Sequence, residues 1–101
     1  MIIYVDIDET ICEYPGGRRQ YPLAKPIYKN IRKINKLYDE GNTIIYWTAR
    51  GSITRIDYEE LTSLQLKDWG AKHHDLRLGK PHYDLFVCDK AINTEDFFKN
   101  E

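Results

Sequence analysis

The stretch Ile2–Thr10, which reads Ile-Ile-Tyr-Val-Asp-Ile-Asp-Glu-Thr, decides the fold of this chain. Its first four residues form a continuous apolar run that is typical of a buried β-strand. Two carboxylates, Asp6 and Asp8, follow directly, and strand ends of this kind carry the functional groups of open α/β sheets. Side chains alternate along an extended chain, so both carboxylates would point the same way if the extension continued. Carboxylates this close repel each other, which predicts a bound cation, or two acids with different tasks, or both.

The length and composition predict a single domain spanning residues 1–101. Apolar residues make up 42% of the chain and aromatic residues 13%, which is enough for a core. The 15 basic and 16 acidic residues give a net charge of −1, which does not favour general attraction to nucleic acid or membranes. No apolar run approaches the roughly 18–20 residues of a membrane span, and the first residues do not resemble a secretory signal. We therefore expect a cytoplasmic protein with Cys12 and Cys88 as reduced thiols.

The apolar pattern predicts strands that alternate with helices, as in a three-layer α/β domain with a mainly parallel sheet and no separate cap domain. Pro26 is a favoured first helical residue, and Gly41 is expected to end that helix. In chain order, we predict a strand at 1–6, an irregular loop or short hairpin at 11–25, a helix at 26–40, a strand at 43–47 and a helix at 54–69. A weak strand at 75–78, a stronger strand at 85–88 and a short helix through Phe98, capped by Asn93 or Thr94, follow.

Polar residues follow three of the predicted strands. Asp6 and Asp8 follow the first strand, Thr48 follows the second, and Asp89 follows the strand at 85–88. The carboxyl ends of parallel strands meet at one edge of a sheet, so these side chains are expected to converge. Lys80 lies in the loop before the strand at 85–88 and is expected to reach the same edge.

These motifs together resemble those of the haloacid dehalogenase-like (HAD) phosphatase superfamily. The segment 6–10 matches its first motif, Thr48 its second and Lys80 its third, while Cys88–Asp89 matches the acidic pair of its fourth motif only in part. The resemblance runs from the first residues to about Asn93, which is nearly the whole chain. It implies a Rossmann-like HAD core and a phosphoric monoester hydrolase that acts through an aspartyl-phosphate.

The resemblance also implies a role for each matched residue. Asp6 would be the nucleophile that attacks phosphorus. Asp8 would be the general acid and base, and the crowded carboxylates would raise its pKa. Thr48 would hydrogen-bond a phosphoryl oxygen, and Lys80 would neutralise the phospho-aspartate.

The expected cofactor is Mg²⁺, a small cation that prefers oxygen ligands. By the resemblance, its ligands would be Asp6, a backbone carbonyl and Asp89. That carbonyl belongs to Ile7 or Asp8, and the family pattern favours Asp8. Cys88 departs from the pattern because many relatives have an acid there, and its effect on metal binding stays open.

The loop at 11–25 would form a flap over the site, with Arg18 and Arg19 placed to clamp a second anionic group of the substrate. A solvated mobile loop is an equal alternative. Arg50 is expected either to bind a substrate anion or to pair with an acid of the site. The three histidines offer no convincing metal-ligand geometry, and we expect them at the surface: His73, His74 and His82.

The segments 48–51, 79–81 and 89–93 resemble small HAD proteins linked to capsular polysaccharide biosynthesis, which implies a sugar phosphate or related metabolite as substrate. Without a cap the site would be open, and a neighbouring subunit could serve as its lid. Three alternatives remain: a nucleic-acid end phosphatase, which Arg55 and the other arginines keep open, a receiver-like signalling module, and a catalytically silent protein that binds a phosphorylated ligand. No membrane partner is expected.

Overall fold

The computed structural model describes residues 1–99, so the last two residues of the predicted domain lie outside it. Its secondary structure follows the predicted alternation of strands and helices, and no helix within residues 1–99 has the length and apolarity needed to cross a membrane. The elements are β1 (Ile2–Val5), β2 (Cys12–Glu13), β3 (Lys25–Pro26), α1 (Tyr28–Asp39), β4 (Thr43–Trp47), α2 (Glu59–Asp68), β5 (Asp75–Arg77) and α3 (Thr94–Phe98).

Three parallel strands form the main sheet, in the order β1, β4, β5. Ile3 of β1 lies opposite Ile44 of β4, and Tyr46 of β4 lies opposite Leu76 of β5. β4 is central and has a continuous apolar sequence, as expected of a strand with neighbours on both sides. The predicted α/β class and mainly parallel sheet are confirmed.

Helix α1 begins two residues later than the predicted start at Pro26. Pro26 instead pairs with Cys12 in a small antiparallel ladder between β2 and β3. Ile31 and Ile34 supply the buried apolar face of α1, as their spacing predicts. The predicted end is confirmed, because Gly41 has φ +98°, a left-handed conformation that suits glycine after a helix.

Helix α2 begins at Glu59, five residues after its predicted start at residue 54. The preceding residues form turns in which Gly51 and Arg55 both adopt positive φ angles. A helix cannot pass through such residues. The carboxylate of Asp57 then accepts a hydrogen bond from the Glu59 N–H at 2.9 Å, satisfying one of the unpaired donors at the helix start.

The predicted strand at 85–88 is wrong for this structure. Leu85, Phe86 and Val87 are 79%, 47% and 87% exposed, and these residues form no strand. Among the described residues, no backbone hydrogen bond joins residues 81–92 to the rest of the chain. A short apolar run identifies a residue pattern that suits a strand, but a strand also needs a neighbour with which to pair.

The hydrophobic core lies against one face of the sheet. Val5, Ile44 and Tyr46 point to that face, where Ile34 of α1 and Leu66 of α2 pack with them. No residue of the opposite face, here called the open face, belongs to the hydrophobic core that residues 1–99 form. The second helical layer of the predicted three-layer arrangement is therefore not seen among the described residues. The open face consists of seven residues: Ile2, Tyr4, Thr43, Ile45, Trp47, Asp75 and Arg77.

Candidate active site

The chain turns sharply where β1 ends. The Ile7 carbonyl accepts hydrogen bonds from the N–H groups of Thr10 and Ile11 at 3.1 and 2.9 Å. Glu9 adopts φ +64°, a left-handed conformation that few non-glycine residues take. The extended geometry therefore stops after Asp6, and the side chain of Asp8 is set by a tight turn rather than by strand alternation.

Asp8 forms a buried ion pair with Arg50. The Arg50 Nη2 lies 2.9 Å from Asp8 Oδ1, and its Nε lies 3.1 Å from Oδ2. The Arg50 side chain is 0% exposed, and the Asp8 side chain is 8% exposed. The Tyr14 hydroxyl also donates to this carboxylate. The two-pronged contact of a guanidinium with a carboxylate is the strong form of this interaction.

The pKa of Asp8 is shifted downward, contrary to the prediction from carboxylate crowding. Burial acts to raise this pKa, but the hydrogen bonds and charge of Arg50, with the Tyr14 hydroxyl, outweigh it. Groups that stabilise the charged form favour ionisation. Asp8 is therefore held as a carboxylate, and the physical reason for its predicted role as a proton donor is lost.

The Arg50 guanidinium makes further contacts inside the protein. Its Nη1 donates to the Thr62 hydroxyl at 3.1 Å and to the Gln65 side-chain carbonyl at 2.6 Å. The guanidinium also lies over the Tyr21 ring, 4.8 Å from its centroid. Of its two predicted roles, pairing with an acid is observed. Arg50 also lines the cavity at this edge of the sheet, and its predicted contact with a substrate anion stays a prediction.

Asp6 is the accessible acid of the site. Its side chain is 42% exposed, and its Oδ1 lies 3.8 Å from the Nζ of Lys80. Burial raises the pKa of Asp6, with a smaller contribution from the charge of Asp8, while Lys80 and the Ile7 N–H act to lower it. The predicted approach of Lys80 to the edge of the sheet is confirmed.

Thr48 lies at the end of β4, as predicted, but it is 1% exposed. Its hydroxyl accepts a hydrogen bond from the Arg50 N–H at 3.1 Å, and its carbonyl accepts one from the Lys80 N–H, also at 3.1 Å. In this structure Thr48 therefore links the backbone at Arg50 to the backbone at Lys80. Its predicted contact with a phosphoryl oxygen stays a prediction.

A cavity of about 270 Å³ opens above Asp6 at the carboxyl end of the sheet. Its charges are mixed, since it is lined by three cations, Arg19, Arg50 and Lys80, and by three acids, Asp6, Asp8 and Glu9. A larger depression of about 370 Å³ lies beside Asp57, Glu59 and Glu60, and no basic residue lines it. The first cavity is therefore the better site for an anionic ligand.

The two arginines of the loop at 11–25 differ in position. Arg19 lines the cavity, and its Nη2 lies 3.8 Å from an oxygen of Glu9 in a half-exposed ion pair. Arg18 is exposed and is not among the residues lining the cavity. The loop therefore brings one of the two predicted cations to the site.

Asp89 is not brought to the site by the described fold. It is exposed, it follows the unpaired run at 85–88, and it does not line the cavity. The residues 1–99 contain no cluster of three His, Cys, Asp or Glu side chains that could hold a metal ion. With the side chain of Asp8 bound to Arg50, Asp6 is the one free carboxylate of the predicted set at this edge. The side chains of one chain therefore do not form the expected Mg²⁺ site.

The sequence interpretation missed several contacts of the site. His82 is exposed, as predicted, but it also lines the cavity together with Tyr83 and Tyr21. His73 and His74 lie elsewhere, where their rings contact Tyr46 and Tyr38. The closeness of His82 to Lys80 in the chain was the available signal, since both belong to one short loop. The bond from Tyr14 to Asp8 had no sequence signal, because it depends on how the loop folds.

Comparisons with known proteins identify a similar fold but no family. No family model and no curated protein matches this chain. A crystal structure of a structural-genomics target from Vibrio cholerae is similar, with a TM-score of 0.83 and 20% sequence identity. The similarity covers 95% of this chain and 85% of that protein. At this level of identity the similarity establishes the fold and not the activity.

Proposed function

We propose that this chain is a phosphomonoester hydrolase of the HAD type, with Asp6 as the nucleophile. The observation that carries the proposal is the accessible Asp6 carboxylate, 3.8 Å from the Lys80 ammonium in a cavity at the carboxyl end of a parallel sheet. Reactive groups of open α/β sheets lie at this edge. The motif order described above supports the same function.

The proposed reaction proceeds in two displacements at phosphorus. An Asp6 oxygen attacks, the ester oxygen leaves with its electron pair, and an aspartyl-phosphate remains. Water then attacks phosphorus and releases inorganic phosphate, regenerating the carboxylate. Lys80 stabilises the negative charge of the transferring group, and Arg19 supplies a second positive charge at the cavity wall.

The leaving oxygen needs a proton when the substrate is an alkyl phosphate. Asp8 is held ionised by Arg50, so we do not assign it this task. We expect aryl phosphates, whose leaving groups need no protonation, to react faster than alkyl phosphates. The proposed physiological substrate is a sugar phosphate or related metabolite small enough for the cavity.

A divalent cation is part of the proposal, although one chain does not assemble its ligands. Mg²⁺ would shield the charge of the phosphate from the attacking carboxylate. Of the predicted ligands within residues 1–99, Asp6 lines the cavity with an accessible carboxylate and would contact such an ion. A titration with Mg²⁺ and its removal with a chelator test this part of the proposal separately.

The main experiment measures hydrolysis of p-nitrophenyl phosphate by wild type and Asp6→Asn in the presence of Mg²⁺. We expect the variant to lose nearly all activity while its circular dichroism spectrum stays unchanged. Asp68→Asn, which changes an exposed aspartate of α2, is the matched control and should keep full activity. Equal activity of wild type and Asp6→Asn would refute the assignment of Asp6.

A second candidate function is binding of a phosphate ester without hydrolysis. The lack of a three-ligand metal cluster among the described residues favours it. Calorimetry with sugar phosphates separates the two functions. If the wild type binds a sugar phosphate tightly but does not hydrolyse it, binding without catalysis is supported. Assays with a 3′-phosphorylated oligonucleotide and acetyl phosphate test the end-phosphatase and receiver alternatives.

A further inference from the structure

The open face and the run at 85–88 are two unpaired parts of the same chain. Parallel sheets are normally covered on both faces, yet Ile2 and Tyr4 of the open face are 71% and 47% exposed. Leu85 and Val87 are likewise apolar and exposed. One part lacks a covering layer, and the other lacks a strand to pair with.

The free edge of β1 is suited to accept another strand. Both β1 and β5 are edge strands of the main sheet. Asp75 and Arg77 place a charged pair, 2.9 Å apart, on the exposed face of β5, and charged side chains protect an edge from pairing. The exposed residues of β1, Ile2 and Tyr4, carry no charge, so β1 is the edge open to addition.

The run at 85–88 has too short a connection to add to β1 of its own chain in parallel. The Lys80 N–H is bound to the Thr48 carbonyl at the carboxyl end of β4, and only residues 81–84 lie between Lys80 and Leu85. A parallel connection within a sheet takes about a dozen residues or more. A β1 strand from a second chain is free of this constraint.

We infer that residues 85–88 of one chain add in parallel to β1 of a second copy and bring Asp89 beside the partner's Asp6. Each chain carries both the added strand and the accepting edge, so a two-fold dimer uses each of them once and closes. In the inferred register Leu85 lies opposite the partner's Ile2, Val87 opposite the partner's Tyr4 and Asp89 opposite the partner's Asp6. Asp89 would then place a further carboxylate beside Asp6 of the partner subunit.

The first test measures the mass of the particle in solution. We expect light scattering to give twice the 12.0 kDa chain mass. Val87→Asp should yield a monomer with an unchanged circular dichroism spectrum, because Val87 is 87% exposed within the chain. Ile53→Asp, which places the same charge at another exposed apolar residue, is the control and should stay dimeric. A wild type of single-chain mass would overturn the inference.

The second test fixes which chain supplies the strand. In a Cys88→Ser background, the double variant Tyr4→Cys/Val87→Cys should form two intermolecular disulfides, since directly paired residues of neighbouring strands are close enough for this bond. A non-reducing gel should show a dimer for the double variant. Tyr4→Cys alone and Val87→Cys alone should each run as a monomer, because neither has a cysteine opposite it in the partner chain. A disulfide confined to one chain would mean pairing within the chain and would overturn the inference.

The third test asks whether Asp89 serves the partner's site, and this part alone rests on the proposed function. Asp6→Asn and Asp89→Asn are each expected to be inactive. After unfolding and refolding together in equal amounts, half of the dimers contain both variants, and one of their two sites is intact, so about a quarter of wild-type activity should return. If no activity returns while wild type is active, Asp89 does not serve the partner's site. If wild type itself is inactive, the proposed function fails, and the mass and disulfide results still decide the dimer.

Discussion

Replacing Arg50 by Met tests whether the buried ion pair with Asp8 supports the structure around the site. The variant keeps a side chain of similar length but leaves the Asp8 carboxylate, 8% exposed, without its cation. Removing one partner of a buried pair costs about 3–5 kcal/mol because the remaining charge stays desolvated. The Thr62 hydroxyl and the Gln65 carbonyl also lose a donor, which adds to this cost.

The assay is urea unfolding at fixed protein concentration, with linear extrapolation of the free energy of unfolding. A loss of this size would remove a large part of the total stability, which for a domain is about 5–15 kcal/mol. The melting temperature should fall by about 4–8 °C for each kcal/mol lost. Lys72→Met is the control, since Lys72 and Asp39 form a similarly close pair, 2.8 Å apart, but both side chains are about half exposed. Exposed pairs contribute only about 0.2–1 kcal/mol.

A double-mutant cycle with Asp8→Asn separates the pair from other effects. Arg50→Met should cost much less in the Asp8→Asn background, because no buried charge is then left alone. If Arg50→Met costs less than about 1 kcal/mol, or the same amount in both backgrounds, the reasoning from a desolvated ion pair is refuted.

Three further predictions concern protonation and backbone geometry. Folding lowers the pKa of Asp8, so its ion pair stabilises the protein above the ordinary aspartate pKa, and this stability is lost as the pH falls. The variant Asp8→Asn should therefore show a smaller fall of the free energy of unfolding towards acid pH, as measured by urea unfolding. Because Lys80 acts to lower the raised pKa of Asp6, Lys80→Met should move the acid limb of the phosphatase pH profile to higher pH, and an unmoved limb would contradict the contact. Gly51→Ala should lower the melting temperature more than Gly41→Ala. Both glycines have positive φ, but only a Cβ at residue 51 would collide with a backbone atom, the carbonyl oxygen of Ile56.

Local pattern was sufficient to predict most of the elements and the accessible part of the site. Apolar runs predicted β1 and β4, and the spacing of Ile31 and Ile34 predicted α1. The position of Asp6 at the end of β1, and of Lys80 near it, followed from the rule that parallel strands end at one edge. These features depend on the pattern of neighbouring residues and on the order of strands and helices, both of which can be read from the sequence.

The sequence by itself determined an α/β domain with an acid and a lysine at the carboxyl edge of a parallel sheet. Only the tertiary structure decided that Asp8 is neutralised by Arg50, since the turn after β1 directs this carboxylate inward, to a guanidinium 42 residues away in the chain. It also decided that residues 85–88 form no strand within their own chain, because a strand forms only where a free edge lies within reach of its connection. Both outcomes depend on distances between remote parts of the chain, which residue type and spacing do not specify.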